Sequence, residues 1–436
     1  MCAGGGLYRH VWLNVIPTSG PYLGPDGIYA PAAVTGAISW AGGAPFADAS
    51  LSPSVEVWSN ATSASPAPFC VALTVRDAAG AAVGAANGCG SAAGGGAVTV
   101  WSPAAPIALP GAALWHLVDA PLTPALYTLD VSLTVAGAAV DAATVSFGVR
   151  AIKFDAATGF YLNGVATKIK GMANHQDMAA VGVGVPDHLQ AWRILKQKEF
   201  GANGWRCAHN PPTPALLDAA DSIGFVVWDE THRNGNLPLL EKLIRRDRNR
   251  ASVVIWSLCN EVLCNTAGDW VADAKAAKAL IRSLDPLGQR PVSANQNGWI
   301  GPNTPLDMQG FDYSTGSYDG WHAAAPNIPS ISSETSSAVS DRGEYFNNET
   351  AGHVQAYDNQ YPGWGESAEQ AWGGVGVPAN QGILTREFDA SRASLCARAL
   401  AQMGRVANQC TATLFPSTQG RSSAVDGSGR AMIIGK

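Results

Sequence analysis

Short runs of alternating apolar and polar residues dominate the first 150 residues and predict an all-β region. Turn-forming stretches such as Ala86-Asn87-Gly88 and Pro103-Ala104-Ala105-Pro106 separate these runs. The predicted strands are Val55–Trp58, Cys70–Val75, Val98–Trp101, Leu126–Val131 and Thr144–Phe147. Several short strands at this spacing are typical of an immunoglobulin-like β-sandwich, which we assign to residues 1–150.

Beyond about Phe154 the pattern changes to buried apolar runs that alternate with helical periodicity. Seven strands are predicted, near residues 170, 204, 226, 255, 292, 309 and 331. The helices between them are marked by Leu189, Trp192 and Leu195, by Thr213-Pro214 through Gly224, by Leu239–Ile244, and by Trp270–Ile281. Strands that alternate with helices over short connections imply a parallel sheet. We therefore predict a (β/α)₈ TIM barrel over residues 151–385, in which the eighth strand is not recognised.

Two carboxylates follow directly after two of these strands. Glu261 ends the run that begins at Ser252, and Glu334 ends the run Ile328–Ser333. The active site of such a barrel lies at the carboxyl ends of its strands. The two residues are 73 positions apart, which is compatible with three βα units of roughly 25 residues each. Two carboxylates at one barrel mouth are the minimum requirement for cleaving a glycosidic bond.

Composition narrows the classes of partner. The chain has 436 residues, of which 47% are hydrophobic, and a formal net charge of -6 without a basic cluster. The charge argues against a nucleic-acid partner, and no apolar run approaches the roughly 18 residues that span a membrane. The first residues, Met1–Gly4, lack the features of a signal peptide. Cytoplasmic and secreted locations both stay open.

The eight cysteines form no CxxC pair, which argues against a zinc site. Cys70 and Cys89 flank a predicted strand-loop-strand segment, so they could form a disulfide or could be two separate small apolar residues. The carboxylates have no histidine at ligand spacing. We therefore expect no metal and no cofactor.

Several segments resemble glycoside hydrolase family 2. The most specific are Asn203–Pro211, which is similar to the family's Asn-x-x-Arg signature, and Trp256–Glu261, which is similar to its acid/base signature. Asn174–Asp177 and Gln309–Tyr313 match further family segments in the expected order. The resemblance covers roughly residues 6 to 385 and implies a retaining glycosidase.

The resemblance also implies a role for each candidate residue. Glu261 would be the general acid/base and Glu334 the nucleophile. Arg206 would pair with Glu334 or its neighbours and keep that carboxylate ionised. The sugar-binding candidates are Asn260 for the 2-hydroxyl, Tyr313 beside the nucleophile, His175 and His209 along the pocket, and Trp364 as a stacking wall. Plainer roles stay open, since Arg206 could form a structural ion pair, His209 could be a satisfied core histidine, and Trp364 could serve ordinary packing.

The expected activity is hydrolysis of terminal β-linked sugars by an exo-β-glycosidase. A β-galactoside is the first choice, a β-glucuronide the second and a β-mannoside the third, and a homo-oligomer is left open. An inactive carbohydrate-binding remnant is the alternative of another class, because the family's first sandwich would precede Gly6. Residues 386–436 carry no recognised family segment and form an atypical tail. Asp312 also stands where the family usually has Asn.

Overall fold

The computed structural model describes residues 7–61, 66–118, 122–178, 181–199, 201–231, 236–261, 270–301, 303–312, 314, 317–334 and 434–435. Two residues expected at the site, Tyr313 and Trp364, lie outside these ranges. Within them, the helices are too short or too polar to cross a membrane.

Fourteen strands precede the barrel in the described residues, and all of them pair antiparallel. They are β1 (Pro21–Tyr29), β2 (Ala32–Val34), β3 (Ser39–Ala41), β4 (Ala44–Leu51), β5 (Ser54–Ser59), β6 (Ala67–Arg76), β7 (Ala82–Ala92), β8 (Val98–Trp101), β9 (Ile107–Ala113), β10 (Tyr127–Val135), β11 (Ala138–Phe147), β12 (Ile152–Asp155), β13 (Gly159–Leu162) and β14 (Val165–Ala166). The all-β prediction for this region is confirmed. Three of the sheets, β1-β5-β8, β11-β10-β6-β7 and β2-β4-β3 with β9, share one apolar core.

Strand β7 corrects one prediction. Ala86-Asn87-Gly88 was expected to be a turn, but it lies inside β7, where Asn87 pairs with Ala72 of β6. An Asn-Gly step favours a turn locally, and here pairing along the whole of β6 overrides that preference. The same register places Cys70 opposite Cys89, and these two cysteines form a disulfide. Of the two alternatives left open by the sequence, the disulfide is the one observed.

The barrel consists of parallel strands connected by helices. The strands are β15 (Gly171–Asn174), β16 (Gly204–Cys207), β17 (Val226–Glu230), β18 (Val253–Asn260), β19 (Val292–Asn297), β20 (Met308–Asp312) and β21 (Ser330–Glu334), and the helices are α1 (Asp187–Glu199), α2 (Pro214–Ile223), α3 (Leu237–Asp247), α4 (Trp270–Leu284) and α5 (Tyr318–Ala324). All seven predicted strands are present. The eighth position holds only the two-residue strand β22 (Ile434–Gly435), which pairs in parallel with Gly171 and Met172. The barrel is therefore nearly closed.

Helix α2 shows how local sequence sets the ends of these elements. The Thr213 hydroxyl accepts a hydrogen bond from the Leu216 amide at 3.3 Å, and Pro214 occupies the first turn. Gly224 ends the helix with φ 76°, a left-handed conformation that suits glycine. Both ends were predicted from the sequence.

Helix α1 was predicted from its apolar periodicity, but its buried side differs from that pattern. Its buried residues are Gln190 and Ile194, whereas Trp192 and Leu195 are 45% and 46% exposed. Periodicity located the helix, but contacts with the neighbouring elements decided which side is covered. Helix α5 was not predicted, because its seven residues are too few to show a helical repeat.

The base of the barrel rests on the antiparallel region. Trp115 is fully buried, donates from Nε1 to the Asp221 carbonyl at 2.8 Å, and packs in one apolar cluster with Phe160 and the barrel residues Trp228 and Ile255. This contact closes the amino-terminal end of the barrel. The opposite end, where the strands finish, is the candidate site.

Candidate active site

Side chains alternate along each barrel strand, and this alternation selects the polar groups that point inward. In β16, Trp205 and Cys207 belong to the apolar cluster between strands and helices, so Arg206 points into the barrel. In β17, Val227 belongs to that outer cluster, while Trp228 and, two residues later, Glu230 point inward. The inward side chains near the carboxyl ends of these strands meet at one place.

Arg206 is the centre of this cluster. Its guanidinium is completely buried and donates to Glu334 Oε1 at 2.9 Å, to Glu230 Oε2 at 2.7 Å and to Asn260 Oδ1 at 2.6 Å. The pairing of Arg206 with Glu334 that was expected from the sequence is thus present. Because the guanidinium is planar and its N–H directions are fixed, a buried arginine of this kind holds three acceptor side chains from three different strands in place.

His209 connects the same two glutamates from a second direction. Its Nδ1 lies 2.9 Å from Glu230 Oε1, and its Nε2 lies 3.2 Å from Glu334 Oε1. The His209 ring also meets the His175 ring edge-on, with 5.4 Å between ring centroids. His175 therefore lies beside the cluster, and its backbone carbonyl accepts a hydrogen bond from Arg193.

Glu230 is held by further donors from β18 and β19. Ser257 Oγ donates to Glu230 Oε2 at 2.9 Å, and Asn295 Nδ2 donates to the same oxygen at 2.6 Å. Arg206 also donates to Oε2 and His209 contacts Oε1, so both oxygens of this carboxylate have partners within the protein. Glu230 therefore serves to anchor the network.

Glu261 begins where β18 ends, and its backbone takes an uncommon conformation. Its φ is 58°, in the left-handed region, and its amide donates to the Asn295 carbonyl at 2.9 Å. Non-glycine residues in this region are sparse and tend to occur at functional sites. The turn brings the Glu261 side chain to the barrel mouth, where it is partly exposed.

Three carboxyl groups meet at this mouth. One oxygen each from Glu261, Asp312 and Glu334 lies within 4.8 Å of the others. Asp312 and Glu334 are buried, and Ser333 Oγ donates to Asp312 Oδ1 at 2.6 Å. Three negative charges at this distance would repel strongly. Which of the three carboxyl groups carries a proton therefore determines what the cluster can do chemically.

The protonation preferences of the cluster follow from burial and neighbouring charge. Burial and then the charge of Glu334 raise the pKa of Asp312 to about 8, so Asp312 holds a proton at neutral pH. Burial alone would raise the pKa of Glu230, but Arg206 and His209 outweigh burial and lower it. Burial would lower the pKa of His209, but its hydrogen bonds to Glu230 and Glu334 raise it. The cluster thus favours a protonated Asp312 beside an ionised Glu230.

The three carboxyl groups also have a spacing that would suit a divalent cation, since such ions prefer carboxylate oxygens. In this cluster, however, Arg206 and His209 both lie on Glu334 Oε1. That oxygen is thus already bound by two basic side chains. We assign no cation to the cluster.

The sequence missed some members of this site. Asn295 contacts Glu230 and Ser257, yet the sequence predicts only a strand near residue 292 and no role for this side chain. The polar run Asn295-Gln296 at the end of an apolar strand is a signal that could have identified it. Ser257 was seen only as part of the run before Glu261, and its contact with Glu230 depends on which way the strand faces.

The barrel part of the chain matches a known protein family. The family model described as glycosyl hydrolases family 2, TIM barrel domain, matches residues 155–237 and 234–343. The barrel domain belongs to glycoside hydrolase family 2. The matched stretch contains β15 to β21 and ends after Glu334, so it includes every described residue of the cluster.

Relatives of this family 2 barrel are similar over the same part of the chain. The β-galactosidase BoGH2A of Bacteroides ovatus is 32% identical over 280 residues, which are 51% of this chain and 32% of that protein. A β-glucuronidase of Bacteroides fragilis is 28% identical over 232 residues, which are 49% of this chain and 32% of that protein. The chain spans about a third of the length of these two relatives.

A solved structure agrees at the level of the fold. The family 2 member from Bacteroides cellulosilyticus superposes with a TM-score of 0.62 at 24% identity, covering 72% of this chain and 42% of that one. The covered share is larger than that of the family model, so the likeness of fold extends beyond the barrel domain. The relatives with assigned names are glycoside hydrolases, and their names include both β-galactosidase and β-glucuronidase.

Proposed function

We propose that this chain carries the catalytic centre of a retaining exo-β-glycosidase. The observation that carries the proposal is the short distance between the two carboxylates: oxygens of Glu261 and Glu334 lie within 4.8 Å of each other. Retaining glycosidases hold their two carboxyl groups about 5–5.5 Å apart, whereas inverting enzymes leave about 6.5–9.5 Å for a water molecule. The observed spacing favours the retaining arrangement.

In this mechanism Glu334 attacks the anomeric carbon while Glu261 gives its proton to the departing glycosidic oxygen. The product of this step is a glycosyl ester on Glu334 and a free alcohol. Glu261, now ionised, takes a proton from water, and the resulting attack on the ester releases the sugar with its original configuration. Arg206 and His209, both on Glu334 Oε1, would keep the nucleophile ionised and correctly aimed.

Asn260 has the geometry of a sugar-binding residue. Its Oδ1 is occupied by Arg206, whereas its buried Nδ2 has no acceptor among the described residues. An amide nitrogen left in this state can donate to the sugar's 2-hydroxyl, where hydrogen bonds strengthen in the transition state. His175, His209, Tyr313 and Trp364 complete the proposed pocket.

The antiparallel region would support this centre from below. We propose that residues 1–150 form an immunoglobulin-like sandwich, since sheets β1-β5-β8 and β11-β10-β6-β7 share one core. The barrel domain would occupy residues 151–385, with the antiparallel strands β12 to β14 at its start, and residues 386–436 would form a C-terminal tail whose Ile434–Gly435 pair with β15.

For the substrate, we propose a terminal β-galactoside. Its support is the first similar protein, a β-galactosidase with 32% identity. A β-glucuronide is the second candidate, because several relatives carry that name, including those of Bacteroides fragilis and Homo sapiens. Its carboxylate would call for a cationic group at the pocket rim, and no clear lysine motif for that purpose is visible in the sequence.

The test uses the full chain with nitrophenyl β-galactoside and nitrophenyl β-glucuronide. Glu334→Gly should abolish turnover, and azide should restore it with formation of the α-glycosyl azide, because the small nucleophile replaces the missing carboxylate. Glu261→Ala should give the β-glycosyl azide instead, since azide then attacks the glycosyl ester. Glu199→Gln, an exposed glutamate paired with Lys196, is the matched control.

Two results would contradict the proposal. Identical azide products from both variants would reverse or remove the assigned roles. Sugar binding without turnover of either substrate by the wild-type chain would favour the inactive carbohydrate-binding alternative.

A further inference from the structure

A small polar cavity lies between the antiparallel region and the base of the barrel, where Arg250 and Arg290 precede the strands β18 and β19 that carry cluster residues at their opposite ends. Its volume is about 30 Å³, and its lining includes Tyr29, Arg150, Arg248, Asp285 and Arg290. A cavity must exceed roughly 10–15 Å³ to accept one water-sized particle. This one therefore has room for a single small ion and excludes larger ones.

The cavity is surrounded by an excess of positive charge. Arg150, Arg248 and Arg290 are 5%, 6% and 7% exposed, so all three guanidinium groups are removed from bulk water. Arg250 also lines the cavity, but Asp218 and Asp221 neutralise it. Among the described residues that line the cavity, Asp285 is the one with a carboxylate.

Asp285 cannot balance three guanidinium groups. It accepts hydrogen bonds from Arg290 Nη1 at 2.7 Å, from Tyr29 Oη at 2.6 Å and from Trp256 Nε1 at 3.0 Å. Arg150 and Arg248 direct their hydrogen bonds to backbone carbonyls, which carry only partial charge. Two formal positive charges are therefore left without a carboxylate at the cavity wall.

The cost of burying these positive charges together is visible in the pKa of Arg150. Burial, followed by the charge of Arg290, lowers the pKa of Arg150 to about 9. In addition, Arg248 Nε is buried and has no acceptor among the described residues. A buried donor without a partner costs free energy, and more so when it is charged.

We propose that this cavity binds one small monovalent anion of the halide class, which balances the guanidinium groups of Arg150, Arg248 and Arg290. An anion at this position would accept a hydrogen bond from a charged donor and reduce the repulsion between the arginines. Because Tyr29 and Arg150 come from the antiparallel region and Arg248 and Arg290 from the barrel, the anion fastens the two together. The site is independent of the glycosidase proposal.

Chloride is the first probe. Unfolding of the full chain is followed in sodium chloride and in sodium gluconate at equal ionic strength, since gluconate is too large for the cavity. At a chloride concentration 100 times the dissociation constant, the unfolding equilibrium constant should fall by about 100-fold relative to gluconate. Equal stability in the two salts would overturn the proposal.

Bromide, which scatters anomalously, can locate the bound anion in a crystal. Crystals grown with sodium bromide should show an anomalous peak beside Arg248 and Arg290. A water molecule there, with no bromide signal at concentrations that saturate the stability effect, would mean that the cavity holds solvent only and that the proposal is wrong.

A variant pair links the effect to the cavity. Arg248→Gln removes one of the charges and should abolish most of the chloride response, whereas Arg248→Lys should keep part of it. Arg76→Gln, at a partly exposed arginine paired with Asp130, makes the same change away from the cavity lining and should respond to chloride like the wild type. An undiminished chloride response in Arg248→Gln would place the anion elsewhere.

Discussion

Arg206 shows how one buried residue can organise a whole site. A buried arginine without partners would be very costly, and here Glu230 and Glu334 both lie within 3 Å of its guanidinium. Burial would lower the pKa of Arg206, but the charges of Glu230 and Glu334 raise it, so the guanidinium stays charged at every accessible pH. The arginine therefore holds the two glutamates together and provides a fixed positive charge behind the proposed nucleophile.

Asp312 is the residue whose proton is most open to a direct test. Its pKa rises to about 8 in the folded protein and is about 3.9 in an unfolded chain, so folding binds a proton between these values. This contribution to stability is full below about pH 4 and is lost as pH rises to about 8. Asp312→Asn, which is neutral throughout, should therefore gain stability relative to the wild type as pH rises, by at most about 1.4 kcal/mol per pH unit.

Urea unfolding of both proteins at several pH values between 5 and 8 provides the measurement. The same change at the exposed Asp319 is the control for replacing aspartate by asparagine on the surface. Parallel stability curves for Asp312→Asn and the wild type would show that Asp312 does not hold a proton in the folded state. The readout does not depend on catalytic activity.

At the scale of elements, the sequence was most informative where burial was most complete. Strands such as β17 and β18 are buried on both sides, so they appear as continuous apolar runs and were located correctly. Strand β7, rich in Ala and Gly, has one exposed side and little apolar signal, and it was mistaken for a turn region. Its position is set by pairing with β6 rather than by its own residues.

The site divides in the same way. Glu261 and Glu334 lie at the ends of buried strands and could be named from sequence pattern together with family resemblance. Asn295 could not, because its role depends on the register between β18 and β19 and on the direction of its side chain. Register and direction arise from packing across several strands and leave no local mark.

Strand β20 approaches β19 closely, and this approach requires a glycine. A Cβ atom on Gly310 would lie 2.0 Å from Asn295 Oδ1 and 3.0 Å from the Ala294 carbonyl. Gly310→Ala should therefore displace Asn295, remove its hydrogen bonds to Glu230 and Ser257, and destabilise the protein by about 1–3 kcal/mol. Aryl glycoside turnover should fall as well, because the anchored Glu230 positions Arg206.

Chemical unfolding and steady-state kinetics measure the two effects. Gly184→Ala is the matched control, since a Cβ there meets only the Val181 carbonyl at 3.9 Å. If Gly310→Ala were as stable and as active as Gly184→Ala, the close approach of β20 to Asn295 would have no functional weight.

At the scale of the whole molecule, the barrel and the antiparallel region meet through a tightly packed joint. A Cβ on Gly148 would lie 2.5 Å from the Ala251 side chain, which shows how closely the two backbones approach. Arg245 of α3 also pairs with Glu56 of β5 at 2.5 Å, and Asn249 accepts a hydrogen bond from the Ala30 amide at 2.8 Å. Such a joint, apolar at its centre and polar around it, is expected to make the two regions unfold together.

Trp115 is the centre of that joint, and its removal tests the coupling. The side chain is fully buried between the antiparallel region and the barrel base, so Trp115→Ala should cost about 3–5 kcal/mol. The loss falls on the contact between the two regions, and unfolding should therefore change from one cooperative transition to two. Near-ultraviolet and far-ultraviolet circular dichroism, recorded during the same urea titration, would separate these transitions.

Trp12→Ala, at a tryptophan that is 81% exposed, should leave a single transition. If Trp115→Ala unfolded in one transition, at the same urea midpoint as Trp12→Ala, the polar contacts around the joint would be enough to hold the barrel and the antiparallel region together.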